Sequence, residues 1–193
     1  MHYIFKFYFI ANLKYLNLDK VDENKNYIYV CNHQSFFDAV IMGLVFPRNS
    51  YIIAKDSLKY VPYFGWLYTL SGNFYIKRGN SEKAKQTLNR VIQKIKTQKS
   101  SIFILPQGTR AKNNQVTKLK RGFVQLAKST QTDILPLVIS TYSLKDLLFN
   151  FRNKKPIYMK ILDKIDYKKS EDDLMAEVKN LMTTTIKELD AMA

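Results

Sequence analysis

This chain of 193 residues is poor in the side chains that build disulfides, metal centres and thiol chemistry. A single cysteine, Cys31, excludes an intramolecular disulfide framework and a cysteine-based zinc site. Only two histidines are present, and His2 lies at the extreme N-terminus, so imidazole proton transfer falls to His33. Acids are scarce: 16 Asp and Glu stand against 31 Lys and Arg, for a net charge of +15. That excess favours polyanionic partners such as nucleic acid, an anionic membrane or a phosphorylated substrate, unless it only reflects a composition rich in Lys, Asn, Ile and Tyr. No apolar run approaches the roughly 18–20 residues that span a bilayer. With six glycines and five prolines there is no Gly/Pro/Ser-rich linker, and no internal repeat divides the chain, so one domain is expected.

What is there is apolar and aromatic enough to fold: 46% hydrophobic and 13% aromatic residues exclude a disordered chain. The charge is uneven. Between Lys77 and Lys128 there are fourteen Lys or Arg and one acid, Glu82, whereas residues 171–190 are rich in acids. Residues 3–13 are apolar and aromatic but broken by Lys6 and Asn12, and no small-residue cleavage site follows. Residues 1–20 therefore read as a short helix that either lies in a membrane interface or packs on the core, ahead of a domain over residues 21–193.

Short β-favouring runs recur at residues 27–31, 51–54, 74–76, 102–105, 134–139 and 157–162. Their continuity suits strands covered on both faces. Residues 81–99 carry an apolar stripe at Ala84, Leu88, Val91, Ile92 and Ile95, with Ser81 as the expected N-cap. A second helix is expected after Ser170, with Leu174, Val178, Leu181, Met182, Ile186 and Leu189 on one side. Alternating strands and helices predict a single α/β domain with a central, mostly parallel or mixed sheet flanked by helices. In such domains chemistry gathers at the carboxyl ends of strands.

Three polar clusters fall at such ends. The first is Asn32-His33-Gln34-Ser35-Phe36-Phe37-Asp38. A helix over residues 34–46 would put His33 at its entrance and Asp38 a turn and a half in, where the carboxylate can reach Nδ1 and raise the basicity of Nε2. The competing reading is a capped helix with Asp38 near its positive end and His33 as a loop residue. The second cluster is Gly72-Asn73-Phe74-Tyr75-Ile76-Lys77-Arg78, whose cations could anchor an anion or simply end a solvated strand. The third runs from Ile102 through Pro106-Gln107-Gly108-Thr109-Arg110. There Gly108 permits a tight turn, Thr109 offers a hydroxyl and Arg110 a bidentate phosphate donor. Lys118, Lys120 and Arg121 extend a cationic rim ahead of an apolar helix at Gly122.

Taken together, the clusters resemble the glycerolipid acyltransferases of the lysophosphatidic acid acyltransferase (PlsC-like) family. The first matches that family's NHxxxxD block, the second its G-x-[IV]-[FP]-[IV]-x-R block, and the third its FPEGTR block except at Gln107. Ile134-Leu135-Pro136-Leu137-Val138 is similar to the fourth, proline-centred block. Ala54-Lys55, Pro62 and Phe64-Gly65-Trp66 fall where the family often has an A-K segment and a P-x-x-G-W turn. The resemblance covers residues 27–140.

That resemblance implies a catalytic pair, His33 as base and Asp38 as its orienting partner. It implies that Arg78, Arg110 and Lys120, with the turn Gln107-Gly108-Thr109, hold the phosphate of a lysophospholipid acceptor. The acyl donor would be acyl-CoA or acyl carrier protein, with no metal and no other cofactor. The expected product is phosphatidic acid from lysophosphatidic acid. Another lysolipid, an amino-acid lipid acceptor, or a catalytically impaired basic membrane-surface protein are the alternatives, the last because Gln107 replaces the usual glutamate. The chain ahead of His33 leaves room for one short helix, so peripheral or monotopic association with the cytoplasmic face of an anionic membrane is expected. No aromatic stacking platform accompanies the cations, so nucleic acid is not the expected partner.

Overall fold

The computed structural model describes residues 12–43, 45, 47, 49–110, 115–148 and 155–193. Seven strands form one sheet: β1 (Leu13–Leu16), β2 (Ile28–Cys31), β3 (Ser50–Lys55), β4 (Phe74–Ile76), β5 (Ser101–Ile104), β6 (Ile134–Ile139) and β7 (Ile157–Ile161). Their order is β1-β7-β6-β2-β5-β3-β4. The five strands from β6 to β4 run parallel. β7 is antiparallel to β6 and parallel to β1. The sheet is thus mixed, with five carboxyl ends at one edge.

Burial explains the sequence pattern. Every residue of β2, β5 and β6 is buried, so these strands are near-continuous apolar runs with no solvent face; the one hydroxyl at the start of β5, on Ser101, accepts from Tyr27 N. Alternate side chains still part to opposite faces. Ile28, Val30, Ile102 and Ile104 pack with α3 (Ser81–Gln98), α4 (Gly122–Thr130) and α6 (Glu171–Met192). Tyr29, Cys31 and Phe103 face the other side, with Ile41 and Met42 of α1 (Asp38–Gly43), Tyr68 of α2 (Phe64–Leu70) and Leu147 of α5 (Leu144–Leu148). The Tyr29 and Phe103 rings stack across adjacent strands at 4.1 Å.

Local differences from the sequence expectations have physical causes. The N-cap of α3 is Asn80, not Ser81: its side chain accepts the Lys83 N–H at 2.9 Å. Ser170 caps α6 as expected, accepting from Asp173 N and donating to the Asp173 carboxylate. The helix expected over residues 34–46 begins only at Asp38. Residues 34–37 turn because the Asp38 carboxylate captures the Gln34 and Ser35 amides while Ser35 Oγ accepts from Phe37 N; residues 44 and 46 lie outside the described set. The helix expected over residues 1–20 is overturned where it can be seen. Leu13–Leu16 is an edge strand paired with β7, and Leu18–Lys20 is a single 3₁₀ turn. Apolar residues at a sheet edge gain ladder hydrogen bonds that an isolated short helix lacks. Residues 1–11, the first part of that expected helix, lie outside the described residues.

Candidate active site

Past the end of β2, side-chain amides take over the work of the backbone ladder. Asn32 is buried; its Nδ2 donates to Ile139 O and its Oδ1 accepts from Ile139 N, both at 2.8 Å. Two residues on, Gln34 Nε2 donates to Ser140 O at 2.8 Å and Gln34 Oε1 accepts from Tyr142 N at 3.2 Å. These two amides clamp the residues around His33 to the strand end of β6. A charge-free clamp of this kind suits a buried site, because every polar atom it buries is paired.

Within this frame Asp38 is fully buried, and its carboxylate is saturated. Oδ2 accepts from Gln34 N, Ser35 N and His33 Nδ1, each at 2.8 Å. Oδ1 accepts from Tyr142 Oη at 2.5 Å. The carboxylate can only accept, so the proton of the pair sits on His33 Nδ1, leaving Nε2 as the free acceptor. The His33 side chain retains 13% exposure, against 0% for Asp38. The carboxylate is sealed and the imidazole has an opening. Burial, and then the Asp38 charge, push the Tyr142 phenol far above its usual range, so it stays a donor. Burial likewise pushes the Cys31 thiol well up, with Asp38 adding to the effect. Cys31 is therefore a core residue and not a nucleophile.

The third cluster wraps the same place from β5. Gln107 is buried; its Oε1 accepts from His33 N at 2.7 Å and its Nε2 donates to Gln115 O at 3.0 Å. Both ends of the amide are thus engaged inside the protein. A glutamate could accept from His33 N but would set an acceptor against the Gln115 carbonyl. Gly108 adopts φ +71°, its N–H closes a turn on Leu105 O at 3.1 Å, and the Lys120 stem packs across it. Lys120 N donates to Pro106 O at 2.7 Å, tying the two halves of the loop together. Thr109 and Arg110 are exposed beyond the turn.

From β4, Arg78 is exposed at the same sheet edge. Its guanidinium pKa is lowered, first by burial of part of the group and then by the charge of Arg110. The two arginines therefore feel each other across the edge, with Asp56 opposing weakly. Among the described residues neither has an ion-pair partner. The expected rim does not stay whole, however. Arg121 turns to the opening acids of α6, Glu171 and Asp172, at 3.3 and 2.9 Å. Such exposed pairs stabilise little, about 0–1 kcal/mol.

The structure thus gathers His33, Asp38, Gln107, Gly108 and Lys120 around one loop system, with Arg78 and Arg110 at its margin. Tyr142, Asn32 and Gln34 complete the frame, and none of their roles was visible in the sequence. The sole signal for Tyr142 was its place two residues beyond a strand-end serine.

The acyltransferase family model matches residues 12–140. The chain is 35% identical over 172 residues to the 1-acyl-sn-glycerol-3-phosphate acyltransferase of Saccharomyces cerevisiae, covering 86% of this chain and 57% of that protein. The Escherichia coli protein of the same name is 33% identical over 169 residues, covering 86% of this chain and 69% of its own length. The crystal structure of the 1-acyl-sn-glycerophosphate acyltransferase PlsC from Thermotoga maritima superposes with a TM-score of 0.75 and 25% identity, over 97% of this chain and 75% of that one. A family match over more than half of the sequence, joined by these relatives, means that the chain belongs to the acyltransferase family.

Proposed function

We propose that this protein transfers a fatty acyl group from acyl-CoA or acyl carrier protein to the free hydroxyl of lysophosphatidic acid, giving phosphatidic acid. The observation that carries this reading is the 2.8 Å contact from His33 Nδ1 to an Asp38 carboxylate that is itself buried and held by three further hydrogen bonds.

The chemistry follows from that contact. His33 Nε2 takes the proton of the acceptor hydroxyl as its oxygen attacks the thioester carbonyl. Asp38 stabilises the imidazolium that forms. Collapse of the tetrahedral adduct breaks the C–S bond, and the Nε2 proton passes to the departing thiolate. No covalent enzyme intermediate is required. Arg78, Arg110 and Lys120 hold the phosphate of the acceptor, and their net positive field draws it to the sheet edge. Thr109 lies on the same loop and can donate its hydroxyl to a phosphate oxygen. Gln107 acts through His33 by fixing its backbone, so an amide serves in place of the family's usual carboxylate.

The acceptor is an amphiphile, so the reaction takes place at a membrane surface, on the cytoplasmic face where anionic lipids concentrate. Among the described residues no helix is long and apolar enough to cross a membrane. Purified protein with liposomes should consume an acyl thioester only when lysophosphatidic acid is present. His33→Ala should lower turnover by about 10²–10⁴ while the protein stays folded. Full turnover by a folded His33→Ala protein would remove the proposed base.

A further inference from the structure

The segment between β3 and β4 has an outer face that none of the described residues covers. It comprises a 3₁₀ turn, Asp56–Tyr60, followed by α2. Tyr60 is 84% exposed, Tyr63 77%, Trp66 69%, Leu67 57% and Leu70 84%. Tyr63, Trp66, Leu67 and Leu70 recur at three- and four-residue spacing, so they share one stripe of the helix. The opposite stripe, Gly65 and Tyr68, is buried. α2 contains no charged residue, so it is apolar on both faces while only one is packed.

This face is held firmly. A Cβ on Gly65 would lie 2.2 Å from Lys59 O, so only glycine lets α2 close on the 3₁₀ turn. Tyr63 takes φ 59° and ψ −49°, and Phe64 N donates to Pro62 O at 2.6 Å. That is a γ-turn of the rare positive-φ kind, unusual for a bulky residue, and it leaves the Tyr63 ring in solvent.

Two observations identify the occupant. The first is charge: residues 55–78 carry Lys55, Lys59, Lys77 and Arg78 against one acid, Asp56, so the apolar stripe is flanked by cations. Lys59 Nζ sits 5.1 Å from the centre of the Tyr75 ring and leaves its charge at the surface. Aromatic rings beside Lys and Arg suit the headgroup level of an anionic bilayer. The second is continuity with the site. Phe36, inside the His33–Asp38 loop, meets Phe64 of α2 at 4.9 Å between ring centres, and Phe64 stacks on Tyr68 at 5.5 Å. The helix that carries the exposed stripe is therefore packed, through its inner rings, against the loop that holds the proposed base.

We infer that Tyr60, Tyr63, Trp66, Leu67 and Leu70 form a docking ridge that enters an anionic bilayer and sets the His33 opening over the lipid surface. Its purpose rests on the acyl-transfer reading, but the readout that decides it, Trp66 fluorescence, needs no turnover. Trp66 is the only tryptophan of the chain, so intrinsic fluorescence reports the ridge directly.

Vesicles of phosphatidylcholine with phosphatidylglycerol should shift Trp66 emission to the blue, and brominated acyl chains in those vesicles should quench it. Binding should weaken with salt and on phosphatidylcholine alone. Replacing Tyr63, Leu67 and Leu70 by serine, with Trp66 retained, should lower vesicle partition by roughly ten- to a hundredfold. Hydrolysis-free turnover of a short-chain, water-soluble acceptor should be unchanged in that variant. Vesicle binding with Trp66 emission unmoved and unquenched would overturn the ridge. So would a blue shift that tracks protein concentration without lipid, which would assign the face to a second copy. A red shift on deleting residues 2–11 in the lipid-free protein would assign it to the chain's own N-terminal segment instead.

Discussion

The two halves of the site are built on opposite principles. Around His33 and Asp38 the polar groups are clamped before any substrate arrives: the buried carboxylate takes four hydrogen bonds, and the surrounding loop is fastened to β6 by two side-chain amides. Around Arg78 and Arg110 the cations are exposed and, among the described residues, lack ion-pair partners. The contrast separates two needs. Proton transfer requires fixed distances, which the fold must supply before substrate arrives. Charge recognition needs an anion, which the substrate brings with it. Two like charges near each other repel, and on the proposed function an acceptor phosphate between Arg78 and Arg110 would relieve that cost.

The contrast can be broken from either side. Asp38→Asn should have the largest effect, because it removes the charge that stabilises the imidazolium while keeping the size of the side chain. Turnover should fall by about 10²–10⁴ with little change in either KM. A mainly KM effect would move Asp38 out of the proton path. Arg110→Ala should act the other way. It should raise acceptor KM by roughly ten- to a hundredfold, leave donor KM in place, and shift thermal stability within about 0.5 kcal/mol, as surface changes do. Equal effects on both substrates would argue against a phosphate contact.

Tyr142→Phe probes the seam between the halves of the loop frame. It leaves one carboxylate oxygen short of a buried donor, at a cost of about 1–3 kcal/mol in denaturant unfolding. Turnover should fall severalfold with both KM values kept. Smallest of all should be the response of Cys31 to alkylation in the native protein. Burial keeps its thiol protonated, so iodoacetamide should label it only on unfolding. Rapid native labelling accompanied by loss of activity would reopen the thiol chemistry.

How much was legible in advance depended on whether a feature was local. The apolar runs at residues 102–105 and 134–139 matched β5 and β6 closely, because strands covered on both faces are apolar at nearly every position. The capped start of α6 was readable for the same reason: Ser170 and Asp173 interact within one turn. β1 was not readable. Leu13–Leu16 is a short edge strand whose partner, β7, begins 144 residues later, and its apolar pattern alone does not distinguish a strand from the end of a helix. The mixed character of the sheet was anticipated, but the reversal of β7 against β6 rests on pairing that no single segment encodes.

For the site, sequence determined the participants that lie close together in the chain. His33 and Asp38 are five residues apart, and the only other histidine is at the chain's start, so residue chemistry singled them out; spacing left a capped helix open, and the resemblance to the acyltransferase blocks is what named them as a pair. Tertiary structure alone decided how they are held. Tyr142 reaches Asp38 across 104 residues and Gln107 reaches His33 across 74. Both meetings exist because β6 and β5 pair with β2 on either side, with their carboxyl ends aligned. Hydrogen bonds need atoms within about 3 Å, and only the packed sheet brings distant segments that close.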